Sequence, residues 1–298
     1  MGTREDGRHA MQKGTVNMTG GNVRRVMISF ALPILLSQLF QQLYNTADSL
    51  IVGNLLGKQA LAAVSSSAAL LNLLTSLMVG ISLGAGVVIS RYFGAKEYET
   101  LSKVIHTTVA FGVAAGLILT AVGALLAPIL LEWMGTAPDV MDGSVAYFRY
   151  YFYGSVAVML YNVFTGIMNA LGDSRRPLYY LMFSSALNVV LDLLFIGVFH
   201  YGVGSAAVAT VISQAVSALL CYVHLCKPGT LYQLQLKKIR FHPQLMLEVT
   251  RMGLPTGIQN SVIAFANVLV QSNINSFGSD AMAACGTYSK LQGFAFLP

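Results

Sequence analysis

Two aspartates sit where charge is costly. Asp48 follows 22 uncharged residues, Val26 to Ala47, and Asp192 lies inside an apolar run from Pro177 to Phe199. A carboxylate at such depth marks an ion or proton path by default. Asn188 precedes Asp192 by four residues and shares its helical face, and Thr210 and Gln214 repeat the same spacing in the next run. Two carboxylates, an amide oxygen and a hydroxyl suit a hard cation, so Asp48, Asn188, Asp192 and Thr210 form a candidate Na⁺ site. The two acids could instead share one proton. Either event changes the local charge by one unit, enough to bias a helix between two arrangements, and Pro33 offers a place to bend. The plainer alternative is a structural hydrogen-bond network in which Asp48 caps or bridges helices.

The elements that carry these groups must bring them to one depth. On a helix of about 100° per residue, Gln38, Gln41, Gln42, Asn45 and Asp48 fall within an arc of about 120°. Leu35, Leu39, Leu43, Leu50 and Ile51 occupy much of the remaining surface, so the polar stripe is expected to line a cavity and not to face lipid. Asp48 lies five residues before Gly53, Asp192 eight before His200, and Thr210 nine after Tyr201, three positions expected on one side of the membrane. With a rise of about 1.5 Å per residue, the three groups share a layer in the outer half of the bilayer.

Composition leaves little doubt about the solvent. The chain has 298 residues, 55% hydrophobic and 10% charged, with a mean hydropathy of +0.64, whereas soluble domains are about 25% charged. Apolar runs at Val26 to Val52, Gln59 to Ser90, Val104 to Leu131, Tyr150 to Leu171, Pro177 to Phe199, Tyr201 to Cys226 and Met252 to Ser276 are long enough to cross a bilayer as helices, and an eighth begins near Ala281. None alternates with period two, which excludes barrel strands. The fold class is an all-α polytopic membrane protein.

The net charge of +6 is explained by topology. With the N-terminus in the cytoplasm, that side receives the five basic residues of the tail, Arg91, Lys96, Lys103, Arg175, Arg176, Lys227, Lys237, Lys238, Arg240 and Arg251, 15 of the 18 Lys and Arg. Nucleic-acid binding has nothing left to explain. The first apolar run is too long for a signal peptide, and the Asn17-Met18-Thr19 sequon falls on the cytoplasmic side. Cys221, Cys226 and Cys285 lie in apolar segments without CxxC or Cys/His spacing, so neither a disulfide framework nor a structural metal is expected.

An internal repeat organises the chain. Ala31-Leu32-Pro33 recurs as Gly253-Leu254-Pro255, Gln38 falls opposite Asn260 and Asn45 opposite Asn267, and Gly57 aligns with Gly278 after a one-residue slip. Six spans make one unit, and an even number of spans gives the second unit the same orientation, the parallel-repeat plan. Two copies need about 440 residues on this plan, so the sequence reads as one six-helix lobe plus the first one to two helices of a second. The expected divisions are a cytoplasmic tail at 1–25, the first lobe at 26–226, a hinge-like linker at 227–246 with a short surface helix, and an incomplete second lobe at 247–298. Opposite Asp48 the second copy has Val270, which assigns the acid to the first lobe.

Other motifs read as packing. Gly80-Ile81-Ser82-Leu83-Gly84 matches a nucleophile elbow, but a continuous apolar run lacks the strand-turn-helix that chemistry requires. Small residues at these positions, and at Gly112 and Gly116, suit close helix contact. His106 and His224 lie near span ends and join no metal-ligand cluster. No enzyme is expected. Tyr147, Tyr150, Tyr151 and Tyr153 with Phe148 and Phe152 read as an interfacial aromatic belt whose inward face could meet an organic cation.

The stretch LFQQLYNTADSLIVGNLLG after Pro33, the loop Asn169-Ala170-Leu171-Gly172-Asp173-Ser174-Arg175-Arg176-Pro177, the Asn188/Asp192 pair and Gly204 to Thr210 together resemble the bacterial multidrug and toxic compound extrusion (MATE) family. The resemblance runs from about Val23 to Pro298. It implies twelve helices in two six-helix lobes, a central cavity, and export of drugs in exchange for Na⁺ or H⁺, without any cofactor besides the coupling ion. It also places Asp48, Asn188, Asp192 and Thr210 at the ion site, and Tyr147 and Asn162, beside Gln38, Gln41, Asn45 and Gln214, along the cavity. The implied setting is the cell membrane, the cargo small organic cations or amphipathic drugs, and the full-length protein a monomer. The alternative within the same superfamily is a flippase for a lipid-linked precursor, for which a strongly basic cavity is expected and inward basic residues are scarce.

Overall fold

The computed structural model describes residues 23–228 and 232–295. Most of the expected tail, with its Asn17-Met18-Thr19 sequon, lies outside the described residues, as do 296–298. The chain runs through α1 (Val23–Leu55), α2 (Lys58–Gly94), α3 (Tyr98–Trp133), α4 (Met141–Tyr153), α5 (Ser155–Ala170), α6 (Arg175–Asp192), α7 (Gly204–Leu225), α8 (Pro243–Asn275) and α9 (Ser279–Ala295). Runs this apolar can satisfy their backbone only internally, which selects helix. Among the described residues five helices are long and apolar enough to cross a bilayer, or six when α4 and α5 count as one. Large apolar side chains such as Leu117, Leu125, Phe183 and Leu219 point outward from the bundle, as they do in a lipid-facing belt. The protein is an all-α polytopic membrane protein.

Three spans depart from the runs read in the sequence. The fourth begins at Met141 and not at Tyr150, and it breaks at Gly154 with a 53° bend between α4 and α5. A Cβ at Gly154 would collide with the Val211 side chain, so the break sits where α7 crosses. The fifth continues past Asp192 as a π-helical turn, Leu193–Val198, an irregularity often found beside functional groups. The seventh starts nine residues early, at Pro243, where the missing proline N–H costs nothing at the first turn.

Before α8 the chain from Tyr232 to Gln235 is tied to the core. Tyr232 and Leu234 are buried in the core, Leu234 N–H donates to Leu225 O (2.9 Å), and Gln235 N–H donates to His106 Nε2 (3.0 Å). His106 in turn donates from Nδ1 to Ser102 O (2.6 Å), which accounts for this buried histidine structurally. The short helix is a single 3₁₀ turn, Leu236–Lys238.

The most extensive helix contact joins α2 to α8. A Cβ on Gly80 or Gly84 would strike the backbone of Gly257 or Gly253, so the two helices touch backbone to backbone through paired glycines. Ser82, between them, donates to Met78 O (3.0 Å) within its own helix and is no nucleophile elbow. Arg91 and Glu248 pair at one end of this seam, where Tyr92 also donates to Glu248 (3.0 Å). Farther along, Ser76 and Ser261 share a hydrogen bond (3.1 Å), and Asn275 donates to Met134 O (3.0 Å). Gly57 and Gly278, matched in the internal repeat, both take left-handed backbone (φ 86° and 91°) that favours glycine at the turns into α2 and α9.

Candidate functional site

The first helix enters with its base pinned: Ser174 donates to Phe30 O (3.0 Å) and Arg175 to Ser29 Oγ (3.2 Å) from the turn before α6. That turn is itself held by buried Asp173, which accepts from Arg176 (2.6 Å), while Arg176 also donates to His224 Nε2 (3.1 Å). With α1 packed along α6, the Asp48 and Asp192 carboxyl groups come close enough to interact electrostatically. Asp48 is 6% exposed and Asp192 fully buried, and Oδ1 of each has no hydrogen-bond partner. Two ionised carboxylates buried this near one another repel, and a proton or cation between them would relieve that cost.

Asn188 is also fully buried. With its amide oriented to satisfy both ends, Nδ2 donates to Asp192 Oδ2 (3.3 Å) and Oδ1 accepts from the Thr210 N–H (3.3 Å). The amide thereby ties α6 to α7 and fixes the Asp192 carboxyl from behind. A small void of about 10 Å³, barely one water in size, lies against Asn188, Thr210 and Gln214. Among the described residues no group of three His, Cys, Asp or Glu converges on a metal position. A cation here relies on two carboxylates and neutral oxygens, a donor set that suits Na⁺ better than a transition metal.

Asp48 and Thr210 open onto a cavity of about 260 Å³, also lined by Gln41, Asn45, Tyr147, Asn162 and Gln214. Gln38 does not line it and is exposed, a correction to the expected stripe. It lies inside the polar arc but ten residues from Asp48, roughly 15 Å along the helix and one turn short of the cavity's reach. Gln42, at the edge of the arc away from Asp48, turns to α9 and donates to Lys290 O (3.0 Å).

The aromatic cluster divides three ways: Phe148 and Phe152 pack in the core, Tyr150 and Tyr153 face outward, and Tyr147 and Tyr151 line the cavity. Sequence reasoning missed Tyr44 and Tyr161 on the cavity wall, and Lys290 as well. Tyr44 sits one turn before Asp48, a spacing that would have found it. Lys290 carried a signal of its own, a lone cation in an apolar run.

The MatE family profile matches residues 33–194. The chain is 32% identical to a probable multidrug resistance protein, YoeA, of Bacillus subtilis, over 93% of this chain and 61% of that protein. It is 24% identical to the multidrug export protein MepA of Staphylococcus aureus, over 91% of this chain and 60% of the relative. Among solved structures, an inward-facing multidrug resistance MATE family transporter of the MOP superfamily superposes with a TM-score of 0.77 at 27% identity, covering 83% of this chain and 56% of that one. The chain thus spans about three fifths of the length of the curated relatives it matches.

Proposed function

This chain belongs to the MatE family, and from that premise we propose that the protein is a cation-coupled antiporter of the cell membrane, with a cytoplasmic N-terminus, exporting amphipathic drugs by alternating access. The observation that carries the reading is the facing pair Asp48 and Asp192, each with an orphaned buried oxygen, at the wall of a tyrosine-lined cavity. A coupling cation, Na⁺ or H⁺, would be held by these two carboxyl groups, with Thr210 able to add a hydroxyl and Asn188 holding Asp192 in register. Loading the pair removes a repulsion between buried like charges and so favours a tighter approach of α1 to α6. That differential is the lever by which an ion can shift the cavity between two openings. The division into a first lobe at 26–226, a linker at 227–246 and the start of a second lobe from 247 belongs to the same reading, as does monomeric operation.

The flippase alternative calls for a strongly basic cavity. Among the described residues one lysine, Lys290, lines it, which favours the antiporter. The test is drug efflux by the full-length protein in vesicles with Na⁺ and pH gradients imposed separately. Asp48→Asn and Asp192→Asn are each expected to abolish gradient-driven efflux; coupled efflux retained in both variants sinks the proposal.

A further inference from the structure

Lys290 has no part in ion coupling as described, yet its side chain lines the same cavity as Asp48. The face of α9 that carries it is unusual. Gly286, Lys290 and Gly293 are spaced i, i+4, i+7 on one side of the helix. A Cβ on Gly286 would strike Ser65 and one on Gly293 would strike the Gln42 amide. Gly286 therefore lets α9 sit close on α2 at Ser65, Gly293 leaves room for the Gln42 amide of α1, and the Lys290 carbonyl is fixed by the hydrogen bond from Gln42 (3.0 Å). Between two residues without side chains stands one long ammonium stem reaching into the cavity.

Lys290 and Asp48 attract each other electrostatically across this space. Among the described residues no ion pair closes between them. Each charge is left with bonding capacity toward whatever enters, while Tyr44, Tyr147, Tyr151 and Tyr161 supply flat walls between them. When Asp48 and Asp192 hold one monovalent cation between them, the pair keeps a single negative charge, which Lys290 balances. A simple organic cation entering then meets one attraction and one repulsion. A molecule with a basic and an acidic group finds a partner for each, and in a cavity shielded from water both contacts gain strength.

Resting on the cavity reading above, we propose that Lys290 receives an anionic group of the cargo while the Asp48 side receives its basic group, so that the cavity selects amphipathic zwitterions over simple organic cations. Lys290 is then a specificity residue contributed by the helix that packs over α1 and α2.

The experiment uses purified full-length protein and two dyes with one aromatic frame: rhodamine 110, which bears a free carboxylate, and rhodamine 123, its methyl ester and a monocation. Wild type is expected to bind rhodamine 110 roughly tenfold more tightly than rhodamine 123. Lys290→Gln should bring that ratio close to one without weakening rhodamine 123, and Lys290→Arg should keep it. If Lys290→Gln does not fold, the near-isosteric Lys290→Met reads the same ratio. Equal wild-type affinities, or a ratio unchanged in Lys290→Gln, overturn the proposal. If neither dye binds wild type, this inference and the cargo cavity fall together. If Asp48→Asn and Asp192→Asn abolish coupling but the dye ratio ignores Lys290, this inference alone fails.

Discussion

Asn188 shows how a neutral side chain can govern charged ones. Its amide is shared between Asp192 Oδ2 and the Thr210 N–H, so it sets where the carboxyl points without contributing charge. Asn188→Ala is expected to raise the coupling-ion concentration for half-maximal efflux by about 10- to 100-fold, the usual scale for losing a group that orients an ion ligand. The accompanying loss of stability, on the order of 1–3 kcal/mol for an unsatisfied buried partner, is read separately from the thermal melt. A melt that shifts while ion dependence stays at wild type would assign Asn188 to packing alone. The spacing of Asn188 before Asp192 was legible in the sequence as a shared helical face. The Thr210 backbone as its second partner was not, because nothing local specifies which turn of α7 lies opposite.

At the scale of elements, α2 and α8 depend on the absence of side chains. Gly84 meets the Gly253 backbone and Gly80 the Gly257 backbone, so the helices approach closely and gain dispersion along the seam. Gly84→Leu should destabilise the purified protein by about 1–3 kcal/mol or more, as overpacking does, while Gly94→Leu, where a Cβ meets nothing, should leave the melt unchanged. Equal effects of the two substitutions would contradict the close contact. The small residues around Ser82 were recognisable as packing from sequence, since an uninterrupted apolar run cannot make an elbow. Their partners were not, because Gly253 and Gly257 lie about 170 residues downstream, far beyond any helical period.

For the whole molecule, the seam between α2 and α8 runs from the Ser76–Ser261 hydrogen bond to the Arg91–Glu248 pair. If transport rocks these helices against each other, joining them must stop it. Ser76 and Ser261 stand with their hydroxyls 3.1 Å apart. Ser76→Cys with Ser261→Cys is expected to cross-link under mild oxidant, to cut efflux at least tenfold, and to recover on reduction. Undiminished efflux in fully cross-linked protein would rule out movement at this seam.

What the sequence determined by itself follows from local physics. Uninterrupted apolar runs must be helices in lipid because no other form satisfies their backbone. The rise per residue gave depth, and so placed Asp48, Asp192 and Thr210 in one layer before any packing was known. Rotation was decided only by the tertiary structure, since the direction a helix face looks depends on the neighbour it meets. That is why the belt of tyrosines and phenylalanines divides among core, cavity and surface and why Tyr44 joins the wall, while Gln38, in the same polar arc as Asp48, stands exposed because the cavity reaches only to Gln41. It is also why Lys290 shares a cavity with Asp48: a cation 242 residues away in the chain joins that wall because Gly286 lets α9 close on α2 and Gly293 leaves room for the Gln42 amide of α1.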